Sequence, residues 1–214
     1  MIKKLFIIIT VLCSALTCCG KNSKLDSKIS QLRNDIYAYD CKDFTLTALA
    51  DTVEAPLSSD GAVGKLEKVI TFKLKTKNPA QNTENCSIAF SLNKKNYSKD
   101  FEFKQIPTLL SCQVKVNELP KKSLEISLTV NGKASQITLK SVKCPSTKSY
   151  GDVLKMLSSE EDFAKRIEEN AELRIRLINN GGYDYWYVGI IDKEKTVSYL
   201  VDGESLEIIA KKSD

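Results

Sequence analysis

The stretch Ser123 to Val142, SLEISLTV-NG-KASQITLKSV, admits few folds. Apolar and polar residues alternate on both sides of Asn131-Gly132, and a two-residue type I′ turn needs positive φ at both central positions, which Asn and Gly supply. Pairing Val130 with Lys133 sets Ile126 opposite Ile137 and Leu124 opposite Leu139. One register therefore satisfies both the turn and an apolar face, and a β-hairpin is predicted.

The same period of two runs from Tyr37 to Lys143. Asp43 to Ala50 puts Phe44, Leu46 and Ala48 on one side; residues 65–77 set Leu66, Ile70, Phe72 and Leu74 against Thr71, Lys73 and Lys75. Cys86, Ile88, Phe90 and Leu92 share a face, a turn through Asn93 to Asn96 leads to 97–104 with Phe101 and Phe103, and 111–116 buries Cys112, Val114 and Val116. Alternation with turns every eight to twelve residues predicts an antiparallel, immunoglobulin-like β-sandwich over 37–145. The loop Val53 to Gly64, VEAPLSSDGAVG, lacks phosphate-loop and calcium-loop spacing and reads as a connection between strands.

Hydrophobic residues make up 42% of the chain and charged residues 28%, a globular composition. Residues 19–145 carry 20 Lys plus Arg against 13 Asp plus Glu, whereas 146–214 carry 10 against 14, so two units of opposite charge are expected. No basic helix or aromatic-basic motif points to nucleic acid, which is not expected as a partner. The chain has no histidine, which removes the usual general base and the commonest zinc or copper ligand; no metal, cofactor or catalytic constellation is expected.

The N-terminus gives an address. Lys3 and Lys4 precede an apolar run from Leu5 to Leu16, and Leu16-Thr17-Cys18-Cys19-Gly20 closes it. About a dozen apolar residues are too short for a bilayer core of roughly 30 Å. This layout resembles bacterial lipoprotein signal peptides, with residues 1–19 ending at a lipidated Cys19 and Cys18 as the alternative. The resemblance implies a mature protein held by acyl chains on a membrane of the bacterial cell envelope, outside the cytoplasm. Residues 20–36 read as a polar tether with a short helix from Leu25. In that oxidising compartment, Cys86 and Cys112 are candidates for a bridge inside the sandwich, with two separate buried thiols as the alternative. Cys41 and Cys144 are candidates for a bridge between its ends.

After Pro145-Ser146-Thr147 the period changes. Ser149 with Asp152, then Ser158 with Glu161, suggest capping boxes for two short helices, the second carrying Phe163, Ala164 and Ile167 on one face. Three strands follow, Glu172 to Ile178, Tyr183 to Ile191 and Thr196 to Val201, with a short piece at Leu206 to Ile209. Helix plus antiparallel meander over 146–214, in which YDYWYVGIID and TVSYLVDG precede ESLEII, resembles PepSY-type modules. That resemblance implies a small α+β unit with a binding or regulatory role toward another protein.

Tyr183, Tyr185 and Tyr187 share one strand face and Trp186, Val188 and Ile190 the other. If the tryptophan row packs under the helices, the tyrosines stand open beside Arg174 and Arg176, a surface suited to a protein, peptide or glycan partner through stacking and cation–π contacts. Tyrosines filling cross-strand positions without a ligand are the plainer reading. Asp184 and Asp192 lie about 26 Å apart along the strand, too far for a glycosidase pair. The expected function is thus a membrane-tethered binding or regulatory lipoprotein without catalysis. The alternative is an envelope enzyme acting on glycan or peptide at the domain junction, using Asp184 or Asp202.

Overall fold

The structure, a computed structural model, describes residues 23–58, 60, 62–78, 85–103, 109–168, 171–192 and 196–213. Residues 1–19 with Cys18 and Cys19, and the end of the strand expected over 97–104, lie outside them. In chain order the elements are α1 (Ser23–Asp26), β1 (Ile29–Asp40), β2 (Phe44–Glu54), β3 (Leu66–Thr76), β4 (Cys86–Leu92), β5 (Lys95–Asp100), β6 (Glu102–Phe103), β7 (Leu109–Val116), β8 (Ser123–Val130) and β9 (Lys133–Ser141). Then come α2 (Tyr150–Leu157), α3 (Glu161–Glu168), β10 (Glu172–Asn180), β11 (Tyr183–Ile191), β12 (Thr196–Asp202) and β13 (Ile208–Ser213). The fold is mainly β, with the described strands in one branched sheet of 13.

The β8–β9 hairpin has the expected register, Val130 opposite Lys133, Ile126 opposite Ile137 and Leu124 opposite Leu139, with φ of 49° at Asn131 and 78° at Gly132. The main path of the sheet runs β13-β12-β11-β10-β1-β2-β3-β7-β6, and a second arm of β5, β4, β8 and β9 joins it through β9 and β1. Strand β1 is the branch point. One edge pairs with β2 along its length; on the other, Ile29 to Arg33 run parallel to β10 while Tyr37 and Ala38 pair antiparallel with β9. A bulge between Arg33 and Asp35 marks the change of partner. There the Asp35 Oδ1 accepts from the Ile36 amide at 2.8 Å and from Ser141 Oγ at 2.6 Å.

Two cores form on the same side of the long sheet. The first holds Tyr37, Leu46, Ala48, Ile70, Phe72 and Leu74 of the long sheet against Ile88, Phe90, Leu124, Ile126, Leu128 and Leu139 of the second arm. The second packs Val153, Leu154, Leu157, Phe163 and Ile167 of α2 and α3 on Leu173, Ile175, Leu177, Trp186, Val188 and Ile190. Ile29 belongs to this second core, with Leu32 packed against it.

The organisation differs from the sequence expectation at β1. Residues 29–36, expected within the 20–36 tether, are strand, and because β1 pairs with both β2 and β10 the sheet runs unbroken between the 37–145 and 146–214 units. The bulge interrupts the alternation, and Gln31 and Arg33 satisfy their polar groups on neighbouring strands, so the segment reads as solvated. One pair of strands is consequently parallel in a pattern expected to be wholly antiparallel. Ser149 and Asp152 form the expected capping box of α2, but Ser158 is the C-cap of that helix, its Oγ donating to the Leu154 carbonyl at 2.7 Å, and does not cap α3.

Candidate functional site

The face of the long sheet turned away from both cores carries a cross-strand row that is polar at its centre. Leu200, Tyr187, Arg176, Arg33, Asp51, Val69 and Lys115 are successive cross-strand partners from β12 to β7. Period two puts them there: each lies one residue from a core position such as Val188, Ile175 or Ala50. The row therefore crosses the line where the two units meet.

At its centre, Arg33 Nη2 lies 3.0 Å from Asp51 Oδ2, and Gln31 Nε2 donates to Asp51 Oδ1 at 3.2 Å. The Arg176 Nε donates to Gln31 Oε1 at 2.8 Å, and its guanidinium carbon sits 5.4 Å from the centre of the Tyr187 ring. Among the described residues no carboxylate lies within ion-pair distance of Arg176. Burial lowers its pKa from the usual guanidinium range; Tyr187 and, more weakly, the Asp51 carboxylate oppose that, and the like charges of Arg33 and Arg174 add to it.

Arg174 is placed differently. Its Nη2 donates to Glu172 Oε1 at 2.7 Å and to the Ser58 carbonyl, which locks it under the β2–β3 connection. Glu172 is fully buried, its Oε2 has no hydrogen-bond partner, and burial raises its pKa despite the opposing Arg174. Of the two arginines expected at the surface, only Arg176 is turned toward the tyrosines.

Trp186, Val188 and Ile190 are the buried row, so the tyrosine face is the open one. Tyr185 and Tyr187 are half-buried beside Arg176, whereas Tyr183, 71% exposed, stands apart at the Gly181-Gly182 turn. Gly189 makes room for Tyr187: a Cβ there would come within 2.9 Å of the Tyr187 hydroxyl. Gln31, Arg33, Asp51 and Glu172 were not expected at the site. Arg174 and Arg176 gave half the signal, but nothing in a polar segment with a hidden bulge points to the partners on β1.

Asp184, a candidate for the enzymatic alternative, is 6% exposed and a structural hub. Its Oδ2 accepts from the Cys144 amide at 2.7 Å and Thr147 Oγ1 at 2.5 Å, and its Oδ1 from Asn179 Nδ2 at 2.7 Å. Asp202 closes a turn, its Oδ1 accepting from the amides of Glu204 at 2.9 Å and Ser205 at 2.8 Å.

No disulfide joins Cys41, Cys86, Cys112 and Cys144. From Ser141, opposite Tyr37, the chain continues toward the start of β1, while Cys41 lies beyond its far end. Cys41 and Cys144 are thus about 20 Å apart along the strand direction, outside disulfide reach. Cys86 and Cys112 are buried thiols in the first core, where Phe72, Phe90 and Phe101 supply packing a chain of this length can rely on. Burial raises both pKa values, that of Cys112 to about 12.

Among the described residues no helix is long and apolar enough to cross a membrane. No family model matches the chain, and no curated protein or solved structure matches it.

Proposed function

We propose that the chain is a lipid-anchored protein of the bacterial envelope that binds a protein, peptide or glycan partner through Tyr185, Tyr187, Arg176 and Arg33. In this reading the immunoglobulin-like arrangement of 37–145 is the support and the PepSY-like unit supplies the aromatic half of the contact face. The observation that carries it is Arg176, a half-buried guanidinium stacked on Tyr187 and held by Gln31, with no carboxylate of its own among the described residues. Buried cations are ordinarily paired, and an arginine fixed beside aromatic rings is suited to receive an anionic group of a partner.

The experiment is a cross-linked pull-down from the native envelope with the full-length chain. Arg176→Ala and Tyr187→Ala are expected to weaken retention of a captured partner about tenfold to a hundredfold, the range of a central arginine or tyrosine contact. Lys73→Ala, elsewhere on the sheet, should leave retention unchanged. Retention unaltered by both site variants, with Trp186 fluorescence showing intact folds, refutes the proposed face.

A further inference from the structure

We propose that the end of the molecule where β1 begins rests on the bilayer holding the lipid anchor, with Leu57 and Leu66 in the interface and Lys65 beside them. This rests on the reading of Cys19 as the lipidated residue. The observations are the length of chain between that residue and the fold, and the exposed apolar side chains at the end where that chain enters.

Only three residues, Gly20 to Asn22, separate Cys19 from Ser23, where α1 starts, so the four steps between them span at most about 14 Å even when fully extended. Strand β1 starts six residues after Ser23 and is 12 residues long, so its far end lies roughly 36 Å beyond its beginning. A connection this short holds the start of β1 near the headgroups and the Cys41 to Asp43 turn away from them.

The pairs Gln31 with Val53 and Glu54 with Leu66 put the end of β2 and the start of β3 beside the start of β1. The Ala55 amide, donating to the Lys65 carbonyl at 2.9 Å, extends this pairing into the connection. Leu57 there is 53% exposed and Leu66 is 43% exposed. Leu66 shares the strand face of Ile70, Phe72 and Leu74 but lies outside the core that buries them. The Lys65 side chain is 78% exposed, with its Nζ 3.7 Å from Glu67 Oε1. Two leucines flanked by a long cationic side chain suit an interface in which apolar groups enter the acyl boundary and ammonium groups stay at anionic headgroups.

The test uses the full-length lipidated chain in phosphatidylethanolamine–phosphatidylglycerol vesicles with brominated acyl chains. Leu57→Trp, Leu66→Trp and, at the far end of β1, Lys42→Trp are compared with the parent, whose single tryptophan is buried. Mass spectrometry of the N-terminus reads the anchor separately. The expected result is lipid on Cys19, with a blue shift and loss of fluorescence at positions 57 and 66 but not at 42. Lipid on Cys19 with positions 57 and 66 no more quenched than 42 overturns the orientation and leaves the anchor standing. The same pattern with concentration-dependent self-association would assign the leucines to a second copy and likewise overturn it. An N-terminus without lipid overturns the anchoring reading and this inference with it.

Discussion

Replacing Asp184 should destabilise the protein more than replacing any other carboxylate considered for chemistry. The carboxylate accepts three hydrogen bonds, two from the segment entering α2 and one from Asn179, and is 6% exposed. Hydrogen bonds to a charged acceptor contribute about 1.5–3 kcal/mol each, and a buried donor left without a partner costs about 1–3 kcal/mol. Thr147 and Asn179 can turn toward water, whereas the Cys144 amide cannot, so Asp184→Ala is expected to cost about 4 kcal/mol. Asp184→Asn keeps the shape but turns an amide hydrogen toward one of the donors, for about 2 kcal/mol. Urea unfolding followed by Trp186, two residues along the same strand, reads both. With a slope of about 2 kcal/mol/M, Asp184→Ala lowers the midpoint by about 2 M and Asp184→Asn by about 1 M. Asp202→Ala, which removes an exposed turn acceptor, should cost about 1 kcal/mol. A shift below about 0.5 M for Asp184→Ala would refute the hub, and with it the structural role that sets this carboxylate apart from a catalytic one.

Glu172 gives a pH signature. Burial raises its folded pKa above the unfolded value, so its favourable contribution is complete below the ordinary glutamate range and is lost as pH rises through the folded pKa. Glu172→Gln should flatten that fall from pH 4.5 upward in chemical denaturation; parallel pH profiles for the two proteins would contradict the assignment. Native-state alkylation at mildly alkaline pH should modify Cys41 and Cys144 before Cys86 and Cys112, read by peptide mass spectrometry, because the latter are buried in the first core. The Cys144 pKa is raised too, by desolvation and by Asp184, but its thiol is not buried. Early modification of Cys112 would show that the first core is open. Gly203→Ala should lower the urea midpoint, since its Cβ would stand 2.6 Å from the Asp184 carbonyl oxygen, and a neutral outcome would contradict that approach. Trp186 fluorescence and far-UV circular dichroism should report one coincident unfolding transition, because β1 is shared by both units; two separated transitions would show that they fold independently.

The β8–β9 hairpin was legible because one local rule, the Asn-Gly turn, fixes the register of two strands. The β11 face was legible because burying Trp186 leaves period two a single assignment for the tyrosines. Strand β1 was not, since both cues that mark a strand fail there. Its alternation breaks at the Arg33 to Asp35 bulge, and the polar groups on its outer face are satisfied by Asp51 and Arg176 partners some twenty and more than a hundred residues away. The same distance hid the site: Arg174 and Arg176 look equivalent in sequence, and only Glu172 with the Ser58 carbonyl separates them.

The sharing of β1 also bears on how the proposed face would work. Arg176 and Tyr187 come from the C-terminal unit, but Gln31, which orients the Arg176 guanidinium, is itself held by Asp51 on β2. The tyrosine row is therefore joined to β1 and β2 by a chain of two hydrogen bonds, from Arg176 to Gln31 and from Gln31 to Asp51. One edge of β1 is divided between β10 and β9, so neither unit can rotate against the other without breaking main-chain pairs on a buried strand. A partner bound at Arg176 consequently meets a surface whose orientation relative to the start of β1, and to any anchor attached there, is fixed by the fold and not by a flexible linker.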